Sequence, residues 1–78
     1  MGEALQRRQI ELQLRLIRAL YDAESKRGDS MARAFFIARA EPILDSTEAA
    51  MTEGALGTDD ELRDLLQSVR REIGALRD

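Results

Sequence analysis

Polar and apolar positions in residues 1–27 fit a helix with two apolar faces rather than one. At about 100° per residue, Ile10, Leu14, Ile17 and Tyr21 fall on one line. Leu5, Leu12, Leu16 and Leu20 fall on another, with Ala19 and Ala23 beside it. The two lines are centred roughly 130° apart by the same rotation rule. Gln6, Gln13 and Glu24 lie between them, and the remaining arc is charged through Arg7, Arg8, Glu11, Arg15, Arg18, Asp22 and Lys26. A surface helix of a small domain needs one apolar stripe, so the second calls for a second surface. Either this helix is flanked on both sides by the other helices of the chain, or one of its faces meets another chain.

The first helix is predicted over residues 3–26. It ends at Arg27-Gly28-Asp29-Ser30, where Gly28 can take the left-handed conformation that stops a helix. Ser30 or Asp29 then supplies the N-cap oxygen of the next helix. A joint this short folds the two helices back as an antiparallel hairpin.

The second helix is predicted over residues 31–52. Its main stripe reads Phe36, Ala40, Ile43, Thr47 and Ala50, widened by Ile37, Leu44 and Met51. Phe35 projects away from that seam, beside Met31, Ala34 and Ala38. An exposed ring is costly, so the third helix or the first joint is expected to cover it, unless Phe35 contacts a partner. Pro42 removes one backbone donor and crowds the carbonyl of Ala38. Because the apolar stripe keeps its phase across Pro42, a continuous but kinked helix is predicted.

Gly54-Ala55-Leu56-Gly57 forms the second joint, and Thr58-Asp59-Asp60-Glu61 reads as a capping box with Thr58 at the N-cap. The third helix is predicted over residues 59–77. Leu62, Leu65, Leu66, Val69, Ile73 and Leu76 give it one narrow stripe facing one neighbour, and Arg63, Asp64, Arg70, Arg71, Glu72 and Arg77 give it a solvated outer face. No alternating β-branched run competes with this all-α reading of residues 1–78 as one domain.

Composition narrows the function. Seventy-eight residues bury a limited core, and chains of this size commonly need a further staple. There is no Cys for a disulfide or thiolate site and no His. Oligomerisation into a helical bundle is the remaining staple. With no membrane-length apolar run and no signal-peptide pattern, a cytoplasmic location is expected.

Charge is segregated. Residues 1–40 carry eight bases and five acids, whereas residues 41–78 carry four bases and ten acids. The basic part could lie against the acidic part, either within the chain or across a dimer.

Catalytic candidates are few. Ser25, Ser30, Ser46 and Ser68 lack an activating base in the sequence. Glu41, Asp45 and Glu48 share neighbouring helical turns, but the Glu-x-x-His pattern of a bundle metal site is absent. Gly54 and Gly57 are too sparse to cradle a phosphate. No catalytic residue, cofactor or metal is expected, although Arg7, Arg8, Arg15, Arg18 and Lys26 on one long helix would suit a small dimeric helical isomerase.

The same bases could serve a nucleic-acid-associated regulator. A sequence pI of about 4.9 and the lack of an aromatic stacking platform argue against direct binding, and net negative charge argues against a membrane surface. The sequence is therefore read as a non-catalytic interaction module, an adaptor, small chaperone or regulator. It would act by helix packing, as a homodimer or with a larger protein, through Leu5, Leu12, Leu16, Leu20 and Phe35. Truncating Leu16 is expected to dissociate or unfold it.

Overall fold

Leu-, Ala- and Arg-rich segments punctuated by Gly28 and Gly54 give three helices and leave little else. The computed structural model describes residues 2–77, apart from the side chains of Glu3 and Ala55. Helix α1 spans Gly2–Arg27, α2 spans Ser30–Glu53 and α3 spans Asp60–Arg77, with a 3-10 turn at Ala55–Thr58 before α3. No strand occurs among the described residues, and none of their helices is long and apolar enough to cross a membrane.

The first joint forms for the reasons the sequence suggests. Gly28 has φ +71°, a conformation that costs an L side chain energy. Asp29, rather than Ser30, caps α2: its Oδ1 accepts the N–H groups of Met31 (3.0 Å) and Ala32 (3.1 Å). Helix α2 then runs unbroken through Pro42. Pro42 and Ala38 both occupy exposed positions, where solvent can serve the carbonyl that loses its donor.

The second joint differs from expectation. Thr58 is the last residue of the 3-10 turn, so the N-cap passes to Asp59, whose Oδ1 accepts from Leu62 N–H at 3.0 Å. The turn itself is fixed by Gly57 N–H to Gly54 O and Asp59 N–H to Leu56 O. Gly57 sits tightly on the end of α2, since a Cβ there would lie 3.1 Å from the Met51 carbonyl oxygen.

Cross-links fix the helix directions. Arg7 and Arg18 of α1 reach Asp59 and Glu72 beside α3 in ascending order, so α1 and α3 run parallel. Glu48, Asp45 and Glu41 of α2 meet Gln67, Arg70 and Arg77 of α3 in descending order, so α2 is antiparallel to α3. The result is an up-down-up rod of 42 × 17 × 16 Å in which each helix touches the other two. The basic α1 thus lies on the acidic start of α3, within one chain.

One core fills the rod. Leu14, Leu44, Leu62, Leu66, Val69 and Ile73 are fully enclosed, and Ile10, Ile17, Ile37, Ala40, Met51 and Leu56 complete the cluster. Each Leu, Ile, Val or Met among them contributes about 1.5–3 kcal/mol through burial. Thr47 is the buried polar residue among those described, and its hydroxyl donates to the Ile43 carbonyl at 2.8 Å.

Two stripe assignments change. The buried line of α2 is Ile37, Ala40, Leu44, Thr47 and Met51, whereas Phe36 and Ala50 are half-buried and Ile43 is exposed. The stripe read from the sequence is rotated away from this line because α3 draws the inner face of α2 toward itself. Helix α3 in turn faces two neighbours rather than one, seated between α1 and α2.

Candidate functional site

The two apolar lines of α1 meet different fates. Ile10, Leu14 and Ile17 are buried with Tyr21 against the core. Leu5, Leu12, Leu16 and Leu20 remain 61%, 53%, 60% and 47% exposed. Helix α1 is therefore not flanked on both sides by α2 and α3. Both of those helices contact it over its Ile10–Ile17 side and its edges.

Phe35 is 64% exposed, so neither α3 nor the first joint covers it. Its ring carries the Arg39 guanidinium 5.6 Å from the centroid, within the range of a cation–π contact. Met31 and Ile43 are exposed on the same helix. All the exposed large apolar side chains among the described residues lie on α1 and α2, and α3 contributes none.

Part of this surface is concave. Leu20 and Ile17 of α1 and Met31, Phe35, Phe36 and Ile43 of α2 line a groove of about 610 Å³ between the two helices. Glu24 and Arg27 stand at the end nearest the first joint, joined at 3.1 Å. The Oε2 of Glu24 is covered there without a hydrogen-bond partner. Of the five residues expected to bind a partner, Leu20 and Phe35 line this groove, and Leu5, Leu12 and Leu16 continue the exposed line along α1. Met31 and Ile43 were not among those five. The signal for Ile43 was a second line on α2, Phe36, Ile43 and Ala50, displaced from the buried line, and the signal for Met31 was its place beside Phe35 off the seam.

Charged residues divide by location. Several beside α3 are paired. Arg7 Nε lies 2.6 Å from Asp59 Oδ2, and Glu61 is 3.4 Å from the same guanidinium. Arg18 meets Glu72 at 3.0 Å, Arg70 meets Asp45 at 2.8 Å, and Arg77 meets Glu41. The hydrogen bond and charge of Arg7, with the cap bond from Leu62, hold the Asp59 carboxyl below its ordinary value, and Asp59 raises that of Arg7.

These pairs engage residues of two alternative sites. Asp45 and Glu48 share Arg70, Glu48 also meets Gln67, and Glu41 meets Arg77 instead. Among the described residues no group of three or more acids could hold a metal ion. The basic stripe Arg7, Arg8, Arg15, Arg18 is split, because Arg7 and Arg18 turn to acids beside α3 while Arg8 and Arg15 remain exposed.

No family model matches this chain, and no curated protein or solved structure proves detectably similar to it.

Proposed function

We propose that this chain is a non-catalytic helical protein–protein interaction module whose working surface is the outer side of the α1–α2 hairpin. The observation that carries this reading is the one-sided distribution of apolar exposure. Leu5, Leu12, Leu16, Leu20, Met31, Phe35 and Ile43 are exposed on α1 and α2, while every large apolar residue of α3 is at least partly buried. Scattered apolar residues on a surface need no explanation, whereas a contiguous patch beside a groove marks an interaction site. Burying these side chains against a helix supplies the driving force, in the manner of a helix laid into a groove. The chain would thus work as an adaptor, small chaperone or regulator.

The test combines molar mass in solution with uptake of a labelled amphipathic helical peptide followed by fluorescence polarisation. The chain should either self-associate or take up the peptide, and Leu16→Asp and Phe35→Asp should each abolish this with unchanged circular dichroism. A monomer that takes up no peptide, or association indifferent to both substitutions, overturns the proposal.

A further inference from the structure

We infer that the occupant of the α1–α2 groove is an acidic amphipathic helix of another protein, rather than a second copy of this chain. The inference rests on the reading of that face as an interaction surface and names the chemistry of what covers it. Arg8, Arg15, Lys26 and Arg39 are exposed and border the leucine line of α1 and the Phe35 side of α2. Among the described residues Arg8, Lys26 and Arg39 have no acidic partner, and Arg15 has only a 3.9 Å contact with Glu11. Toward α3, Arg7, Arg18, Arg70 and Arg77 each hold an acid, while Arg33, Arg63 and Arg71 hold none among the described residues. Beside the exposed apolar surface, bases without an acid outnumber acids without a base. Near this rim Glu11 meets Arg15 and Glu24 meets Arg27, which leaves Asp22 on α1 and Glu53, on the line of Phe35 in α2, as acids without a base.

A second copy fits this rim poorly. Since α3 exposes no large apolar side chain, self-association through apolar surface must join the α1–α2 face to itself. Such an isologous contact sets the same patch on both sides. It would bring Arg8, Lys26, Arg39 and the weakly held Arg15 against their own copies, with Asp22 and Glu53 as the free acids in exchange. A helix with leucines inward and glutamates on its flanks satisfies the apolar strip and the rim together, and opposite charges also speed its encounter. The concavity between α1 and α2 suits a rod rather than a flat bilayer, and its floor of Leu20, Phe36 and Ile43 calls for apolar side chains rather than phosphates alone.

Two labelled synthetic helices test this on the full chain. Both carry leucines on one face, and one is flanked by glutamates while the other is flanked by lysines. In low salt the glutamate peptide should bind at least about tenfold more tightly, as expected when several exposed ion pairs add modestly. High salt should narrow the gap by screening. The double variant Arg15→Glu, Arg39→Glu, with its circular dichroism unchanged, should reverse the preference.

Equal binding of both peptides overturns the acidic partner while leaving the interaction face standing. A homodimer that excludes both peptides makes the occupant a second copy and overturns the inference. Uptake of phosphatidylserine vesicles or duplex DNA in preference to the glutamate peptide overturns it in favour of a membrane or nucleic acid. A monomer that binds nothing overturns this inference and the interaction face together.

Discussion

The carboxylate of Asp59 serves two helices at once: Oδ2 accepts from Arg7 Nε at 2.6 Å, while Oδ1 caps α3 by accepting from Leu62 N–H at 3.0 Å. Both bonds favour the charged form, with Arg7 the larger cause, so the carboxyl titrates below its ordinary value near 4 in the folded chain. A carboxyl depressed on folding contributes stability above its unfolded pKa and loses it as pH falls through its folded pKa. The melting temperature should therefore decline on acidification below about pH 4. Asp59→Asn keeps a capping oxygen but loses the charge that holds Arg7. It should melt lower than the parent at pH 7, with a smaller difference between pH 7 and pH 3. Thermal scans of both proteins across that range check this, and equal acid sensitivity would refute it.

Neighbouring leucines of α1 should respond oppositely to truncation. Leu14 is fully enclosed, so Leu14→Ala should destabilise by about 2–5 kcal/mol. Leu16 is 60% exposed, so in a lone chain Leu16→Ala should stay within about 0.5 kcal/mol of the parent. This replaces the expectation that losing Leu16 unfolds the chain, although dissociation from a partner remains its predicted effect. Urea titrations at low protein concentration separate the two residues.

The turn glycines fail for different reasons when altered. Gly28→Ala meets no atom within 4 Å, so its cost is that of the left-handed backbone alone, about 1–2 kcal/mol. Gly28→Asn should cost less, because Asn tolerates that conformation. At Gly57 the difficulty is space, since the Met51 carbonyl 3.1 Å from a new Cβ is backbone and cannot swing aside. Asn should therefore rescue position 28 and not position 57, as read by melting temperature.

Thr47→Val should leave stability within about 1 kcal/mol of the parent. The Thr47 hydroxyl returns to the Ile43 carbonyl of its own helix. Replacing a buried polar group by an apolar one of the same shape, where no essential donor or acceptor is orphaned, is close to neutral. A loss above 2 kcal/mol on urea titration would instead assign weight to Gln13, which lies 3.4 Å from the same hydroxyl.

The helices and both joints were legible from periodicity and glycine placement, with helix bounds within one residue of those observed. Which face of each helix turns inward was less so. The two lines of α1 are equally apolar, and only the seat of α3 selects Leu14 over Leu16 for burial. On α2 the lines through Ile43 and Leu44 lie about 100° apart, so the same choice rotated the predicted stripe. The cap of α3 was displaced by one residue because Thr58 and Asp59 are both competent N-caps, and a 3-10 turn invisible to helical periodicity consumes the first. Phe35 stood out from its seam, but its exposure depended on how far α3 reaches around the rod. The rim pattern of Arg8, Arg15, Lys26 and Arg39 became visible only when Arg7 and Arg18 were seen turned toward Asp59 and Glu72.

The wet outer flank of α3 offers a practical handle. Asp64 and Arg71 are exposed on a helix that lacks large exposed apolar side chains, and the native sequence contains no thiol. Asp64→Cys would therefore create a unique attachment point for a dye or a surface tether. Because that point belongs to the helix that takes no part in the greasy hairpin face, a probe fixed there can report on whatever docks across the rod without standing in its way.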